Sequence, residues 1–349
     1  MTWMVYGASG HTGKLVAELA AARGERPVLA GRSSERIAPI AAELGLDIRA
    51  FGLDDPHEIR AALGGIGTVA HCAGPFSATS RPMVDACLAT GTNYVDITGE
   101  IEVFEAIYAR DAEAAAAGVV LLPGAGFDVV PTDCVAACLA ERLPDATHLD
   151  LAFAARVKLG PGTVKTMLEG AGQGGSARVD GKLRSVPLGH RRVTASFPSG
   201  RKTVTAIPWG DLSSAYRSTG IPNITTFTVV PAGSIVGVGQ RLVAPIFRVT
   251  AVQNAAKAVV DRVVKRGVEM AEAGSSQVWG EVRNAAGQRV SMTLTGPNGL
   301  PMTADGVVSA VRKLAEGGVK PGAHTPSTAF GARFATELAG VEISEPTTG

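Results

Sequence analysis

The sequence predicts an α/β protein with two domains: an N-terminal doubly wound domain over residues 1–125, and an α+β domain over 126–324 built on a mixed or antiparallel sheet. Three observations carry that expectation. At 349 residues the chain exceeds what one ordinary core uses. Up to residue 125, short β-branched or apolar runs alternate with alanine-rich helical stretches, and such alternation requires crossover connections and a parallel sheet covered on both faces. Beyond it the strand-like runs lengthen and alternate polar with apolar residues.

In chain order, strands are predicted at Trp3–Tyr6, Pro27–Ala30, Asp47–Phe51, Thr68–Cys72, Tyr94–Ile97 and Val119–Leu122. Helical periodicity falls between them at Gly13–Ala22, Glu35–Leu44, Pro56–Leu63, Pro82–Ala89 and Ile101–Ala117. Pro56 and Pro82 each suit a first helical turn, where a missing amide hydrogen costs nothing. A helix follows at Thr132–Leu143, then strands at Arg191–Phe197, Lys202–Ile207 and Val290–Thr295. Glycine in a polar break marks hairpin turns in 196–203 and 283–290. Thr325 before Pro326 reads as a helix cap, and a C-terminal helix at about 325–340 is expected to pack back on the first domain.

Gly7, Gly10 and Gly13 fall between the first strand and the first helix, where a dinucleotide-binding domain of Rossmann type places its glycines. One glycine permits the tight turn, Gly10 lets backbone amides approach a pyrophosphate, and Gly13 allows close packing of helix on strand. The helix N-terminus then turns its positive dipole end to the phosphates. Ser9, His11 and Thr12 lie among these glycines, and the two hydroxyls add donors. The spacing is G-x-x-G-x-x-G, with the first glycine displaced from the usual pattern.

The end of the second strand selects the dinucleotide. An NAD site usually places a carboxylate there for the ribose 2′-hydroxyl, whereas this chain has Ala30, Gly31 and Arg32. A guanidinium fits a 2′-phosphate bidentately, so NADP is the expected cofactor, with Ser33 and Ser34 as further donors. Asp54 suits either the adenine amino group or a helix N-cap before Pro56. Ala73, Gly74, Pro75 and Phe76, at the end of the fourth strand, are expected beside the nicotinamide ribose. His71, alone on a strand, reads as a core residue.

Tyr94, Asp96, Glu100 and Asp128 are the candidates for proton transfer or substrate orientation, with Asp133 as a further carboxylate, since they lie near strand carboxyl ends where ligands of open α/β sheets bind. Each also has a structural reading as a loop anchor or helix-dipole partner. None of the four tyrosines has a lysine four residues on, which excludes the short-chain dehydrogenase mechanism. Cys72, Cys87, Cys134 and Cys138 lack metal-ligand spacing, and no metal site is expected. Charges nearly cancel, 33 Lys plus Arg against 32 Asp plus Glu, so no overall field recruits nucleic acid. The N-terminus shows no signal-peptide pattern, and the expected location is the cytoplasm.

"GASGHTG", "AGR", "AGPF", "YVDITGE" and "GFDVVPTD", in this order, resemble the saccharopine dehydrogenase-like oxidoreductase family, which includes the trans-acting enoyl reductases of actinobacterial lipid synthesis. The likeness is strong to about residue 140 and weaker in "GPGTVKTMLEG" (160–170) and "HTPSTAFG" (324–331). It implies an NADP-binding domain followed by a substrate domain, with Gly7, Gly10, Gly13 and Arg32 holding cofactor and Gly74–Phe76 next to the nicotinamide. The family does not fix the substrate, which ranges from amino-acid imines to lipid enoyl groups.

The uncharged stretch 218–240 suits an apolar substrate wall, and the expectation is hydride transfer to a C=C or C=N of an apolar or acyl-type small-molecule substrate. An amino-acid or imine reductase stays open, for which Arg184, Arg191, Arg192, Arg201 and Lys202 could supply cations. So do a non-catalytic NADP(H) sensor and a semialdehyde-type enzyme with Cys134 as nucleophile. A homodimer and a peripheral membrane contact of the uncharged stretch stay open as well.

Overall fold

The computed structural model describes residues 2–155, 174–229 and 275–348. The segment 160–170 and the part of 218–240 from residue 230 onward lie outside the described residues. Two compact units emerge, Met1–Val130 with Gly299–Ala339, and Pro131–Asn298 with Gly340–Gly349.

The first unit holds a seven-stranded parallel sheet. Its strands are β1 (Trp3–Tyr6), β2 (Val28–Gly31), β3 (Ile48–Ala50), β4 (Thr68–His71), β5 (Asn93–Asp96) and β6 (Val120–Leu122), with a short strand Gly322–Ala323 beside β6. The spatial order β3-β2-β1-β4-β5-β6 is the doubly wound order, and its direction reverses between β1 and β4. Every residue of β1, β2 and β4 is buried, as expected where helices cover both faces. The crossovers are α1 (His11–Ala22), α2 (Ser34–Leu44), α3 (Pro56–Ala62), α4 (Phe76–Thr90), α5 (Ile101–Tyr108) and α6 (Asp111–Ala117).

Three elements differ from the sequence pattern, each for a physical reason. α4 begins at Phe76 rather than Pro82, so Pro82 sits inside the helix. The earlier start is held from outside, because the Glu100 carboxylate accepts from the amides of Phe76 and Ser77 at 2.9 and 2.8 Å. The predicted helix Ile101–Ala117 is two helices, broken where Arg110 turns its guanidinium to Asp85 of α4 and to Glu113. The C-terminal stretch is a short helix Pro326–Phe330 and a 3-10 turn Phe334–Glu337 rather than one helix at 325–340, although Thr325 caps it as expected.

The helix Gly299–Glu316, in a stretch the sequence pattern places in the second domain, packs on α1, β4 and β5 of the first unit. Gly306 makes this fit possible: a Cβ there would stand 2.4 Å from the Ala125 carbonyl oxygen. Asp305 of the same helix pairs with Arg23 at the end of α1 at 2.7 Å, and accepts from the Ala339 amide and the Ser309 hydroxyl.

Among the described residues, the second unit is built on a ten-stranded mixed sheet. Its central run is β10 (Arg192–Phe197), β11 (Gly200–Ile207), β12 (Asn223–Thr228), β7 (His148–Ala155), β13 (Ser276–Arg283) and β14 (Arg289–Gly296). Only the β12–β7 pair in this run is parallel. Both predicted hairpins are present: β10 and β11 join through Pro198-Ser199, and β13 and β14 through a loop whose Asn284 side chain bonds Gln288. A third hairpin joins β8 (Gly175–Val179) and β9 (Lys182–Val186). Its turn, Asp180-Gly181, has φ of +49° and +75°, the type I′ geometry that an Asp-Gly pair favours. The helix α7 (Val130–Arg142) lies on β13 at Gly280, where a Cβ would meet Val135 and Leu139 within 2.8 Å.

Candidate functional site

The candidate site is the carboxyl edge of the first unit's sheet, where the loops after β1, β2, β4, β5 and β6 emerge around the reversal of strand order. The turn after β1 is tight. Gly7 has φ of +88°, and the amides of Gly7 and Ala8 both donate to the Ala30 carbonyl, which ties the turn to β2. The Gly10 amide donates back to the Gly7 carbonyl at 2.9 Å.

Gly13 lies directly against this turn. A Cβ at that position would stand 2.2 Å from the Gly7 oxygen, so no other residue keeps α1 seated on β1. α1 has Gly10 as its N-cap, with no side chain bonded to its first amides. Ser9, Gly10 and His11 are exposed and Thr12 is half-buried. A close backbone cradle with uncapped amides at a helix start is what a pyrophosphate requires, so these residues fit a dinucleotide.

At the end of β2, Arg32 is exposed, and its charge together with that of Asp54 is felt at the buried Tyr6 hydroxyl. Burial is the larger effect there and pushes the Tyr6 phenol up to about 12. Ser33 caps α2, its oxygen accepting from the Arg36 amide at 3.4 Å, which leaves its hydroxyl hydrogen for another acceptor. The N-cap of α3 is Asp55, bonded to the His57 amide, which removes the capping reading of Asp54. Asp54 is exposed.

The turn after β4 adjoins the glycine cradle, since a Cβ on Gly7 would meet the Ala73 side chain and amide at 2.9 Å. Gly74 and Pro75 are exposed and Ala73 is half-buried. Phe76 is not part of that surface: its ring is buried, edge-on to His71 with centroids 5.5 Å apart. His71 is fully buried, and burial holds its imidazole down at about 3.

The proposed acid–base residues separate into three roles. Tyr94 and Asp96 are buried at the end of β5, and Asp96 is an anchor with both oxygens engaged. One oxygen accepts from the amides of Thr98 and Gly124 at 3.0 and 2.9 Å; the other accepts from the Tyr94 hydroxyl at 2.7 Å. Burial lifts the Asp96 carboxyl to about 6 against the pull of those bonds. Glu100 serves the start of α4. Asp128, half-buried in the turn after β6, lies against Gly99, where a Cβ would stand 3.4 Å from its carboxylate. Burial raises its carboxyl to about 6. The turn carrying it is fixed by the Phe127 amide, which donates to the Thr303 hydroxyl at 3.0 Å.

Signals for these roles were thin in the sequence: Glu100 acts on amides 23 and 24 residues away, and Thr303 on an amide 176 residues away. In the second unit, Asp133 and Cys134 are buried in α7. Arg191 is engaged bidentately by Asp150 at 2.7 and 2.6 Å and faces the Phe227 ring, while Arg184, Arg192 and Arg201 are exposed on hairpins. A cleft of about 990 Å3 lined by Thr2, Trp3 and Arg23 opens where β1 begins, at the other end of the strands, and Arg23 there is already paired with Asp305.

Residues 3–122 match the saccharopine dehydrogenase NADP binding domain family. A trans-acting enoyl reductase of Mycobacterium leprae is 38% identical over 138 residues, covering 37% of this chain and 33% of the relative. A trans-acting enoyl reductase of Mycobacterium tuberculosis is 35% identical over 143 residues, with the same coverage of 37% and 33%. The match thus spans about a third of the curated relatives it reaches. Among solved structures, apo saccharopine dehydrogenase (L-Glu forming) from Saccharomyces cerevisiae superposes with a TM-score of 0.67 at 12% identity, covering 100% of this chain and 99% of that one. The fold is therefore that of saccharopine dehydrogenase, and the resemblance carried by the N-terminal motifs holds.

Proposed function

We propose, from a first unit whose residues 3–122 match the saccharopine dehydrogenase NADP binding domain, that the chain is an NADP(H)-dependent oxidoreductase reducing a C=C or C=N of an apolar or acyl-type substrate. The observation that carries the cofactor half is the seat of Gly13 on the Gly7 carbonyl beneath the uncapped first turn of α1. The substrate half is supported by the N-terminal similarity to trans-acting enoyl reductases.

In this reading the amides at the start of α1 hold the pyrophosphate, and Arg32 with Ser33 holds the 2′-phosphate. Asp54 faces the adenine, and Ala73, Gly74 and Pro75 line the nicotinamide side. Bound NADPH supplies the hydride. Asp128 supplies the proton: a carboxyl lifted to about 6 keeps its proton at higher pH than an ordinary aspartate does. Tyr94, Asp96 and Glu100 keep the loops around it in place.

The test is NADPH oxidation over a panel of 2-enoyl thioesters and imines, for wild type and Asp128→Asn. The expected outcome is turnover of an enoyl thioester that falls as pH rises through about 6. Asp128→Asn slows it by about 100-fold and flattens the profile, with NADPH affinity unchanged. No oxidation with any member, or an unchanged pH profile in Asp128→Asn, removes the corresponding half of the proposal.

A further inference from the structure

The turn after β4 is held by side chains from three places. Glu100 takes the amides of Phe76 and Ser77. Thr79, one turn into α4, reaches back so that its hydroxyl faces the carbonyls of Ala73 at 2.6 Å and Pro75 at 3.0 Å. His71 Nε2 lies 3.0 Å from the same Thr79 oxygen.

Proton counting orders these contacts. A threonine hydroxyl has one hydrogen, and carbonyl oxygens only accept. The Thr79 hydrogen is therefore committed to Ala73 and Pro75, and Thr79 Oγ1 accepts from His71 Nε2–H. That fixes the His71 tautomer and leaves Nδ1 as a buried lone pair without a hydrogen-bond partner. The ring cannot swing away to satisfy it, being packed against Tyr6 at 5.4 Å and Phe76 at 5.5 Å between centroids. A buried polar atom left unpaired costs free energy, and here that cost accompanies an imidazole whose other nitrogen orients one hydroxyl. Because burial holds the ring neutral, the arrangement persists across the working pH range.

We propose that Thr79, oriented by His71, is a positioning residue that fixes the Ala73–Pro75 turn against the nicotinamide half of the dinucleotide, and that it governs affinity for that half alone. The proposal rests on the NADP(H) reading above. Its local ground is the direct packing of Ala73 on Gly7, which places the turn next to the pyrophosphate cradle. The hydrogen bonds of Thr79 go to the turn and to His71, so the adenine half is held independently of it.

The experiment compares binding of NADPH with binding of 2′-phospho-ADP-ribose, which has the adenine, 2′-phosphate and pyrophosphate but no nicotinamide. Wild type, Thr79→Val and Thr79→Ser are titrated, and thermal unfolding of each confirms the fold. Thr79→Val weakens NADPH binding by about tenfold, the scale of one hydrogen-bonded contact, leaves 2′-phospho-ADP-ribose within about twofold, and blue-shifted NADPH emission is lost with it. Thr79→Ser restores both affinity and emission. Parallel weakening of both ligands, or no change in either, overturns the proposal while leaving the NADP(H) reading intact. Failure of both ligands to bind wild type overturns the two together. Should Thr79→Val not fold, Thr79→Ala enters the same comparison and decides by the same criteria.

Discussion

At the scale of single residues, Gly13 and Gly10 make different demands. A Cβ on Gly13 would stand 2.2 Å from backbone oxygen, whereas one on Gly10 would stand 3.1 Å from the same atom. Backbone cannot give way as a side chain can, so Gly13→Ala is expected to abolish dinucleotide binding and lower the unfolding temperature. Gly10→Ala should weaken binding with a smaller loss of stability; titration with NADPH and thermal unfolding check both, and equal behaviour of the two variants would contradict the cradle geometry. Asp96 makes a different prediction. Its carboxyl is raised from 3.8 to about 6 in the fold, so the folded state holds its proton more tightly than the unfolded chain. The resulting stability is fully present below pH 3.8 and is lost as pH rises through about 6. Asp96→Asn, neutral throughout, should flatten that part of the profile in urea unfolding at stepped pH, and parallel curves for the two proteins would refute it. The glycines were readable because their role follows from spacing between a strand and a helix. Asp96 and Glu100 were recognisable as polar residues near a site, yet their anchoring roles depend on amides at Gly124, Phe76 and Ser77 that only the folded chain brings to them.

At the scale of elements, periodicity located β1 to β6 to within a residue or two, most directly for β1, β2 and β4, because buried parallel strands are continuous apolar runs. Helix boundaries were less legible where long-range side chains set them. Pro82 marks a helix start by local rules, but the distant Glu100 carboxylate moves the start of α4 to Phe76. The Asp180-Gly181 turn carried a local signal for a hairpin and lay in a stretch with little apolar alternation to frame it. The helix Gly299–Glu316 depends on Asp305, whose carboxylate receives Arg23, Ser309 and the Ala339 amide. Those partners hold its carboxyl below the usual range despite burial. Its contribution is therefore present above pH 3.8 and is lost as pH falls through the lower folded value. Asp305→Ala should cost about 2–3 kcal/mol near neutral pH, since three donors lose their acceptor. The gap to wild type in chemical unfolding should narrow in acid; a constant gap would contradict the assigned role.

At the scale of the whole molecule, the first unit is assembled from two stretches far apart in the chain, Met1–Val130 and Gly299–Ala339. Sequence order hides this, because Gly299–Glu316 follows the last long strand of the second unit and its apolar face does not say which sheet it covers. The two-sheet plan itself was legible from the change of texture near residue 125, and it agrees with the fold shared with saccharopine dehydrogenase. The proposed activity rests on the carboxyl edge of the first sheet, and above all on Arg32 standing where an NAD site would carry a carboxylate. The most direct measurement is fluorescence titration of wild type and Arg32→Ala with NADPH and NADH. The NADP assignment predicts NADPH binding at least about tenfold tighter than NADH, about 1.4 kcal/mol, with that preference lost in Arg32→Ala and NADH affinity little changed. Equal affinity of wild type for the two nucleotides would contradict the role of Arg32, and binding of neither would contradict the oxidoreductase proposal as a whole.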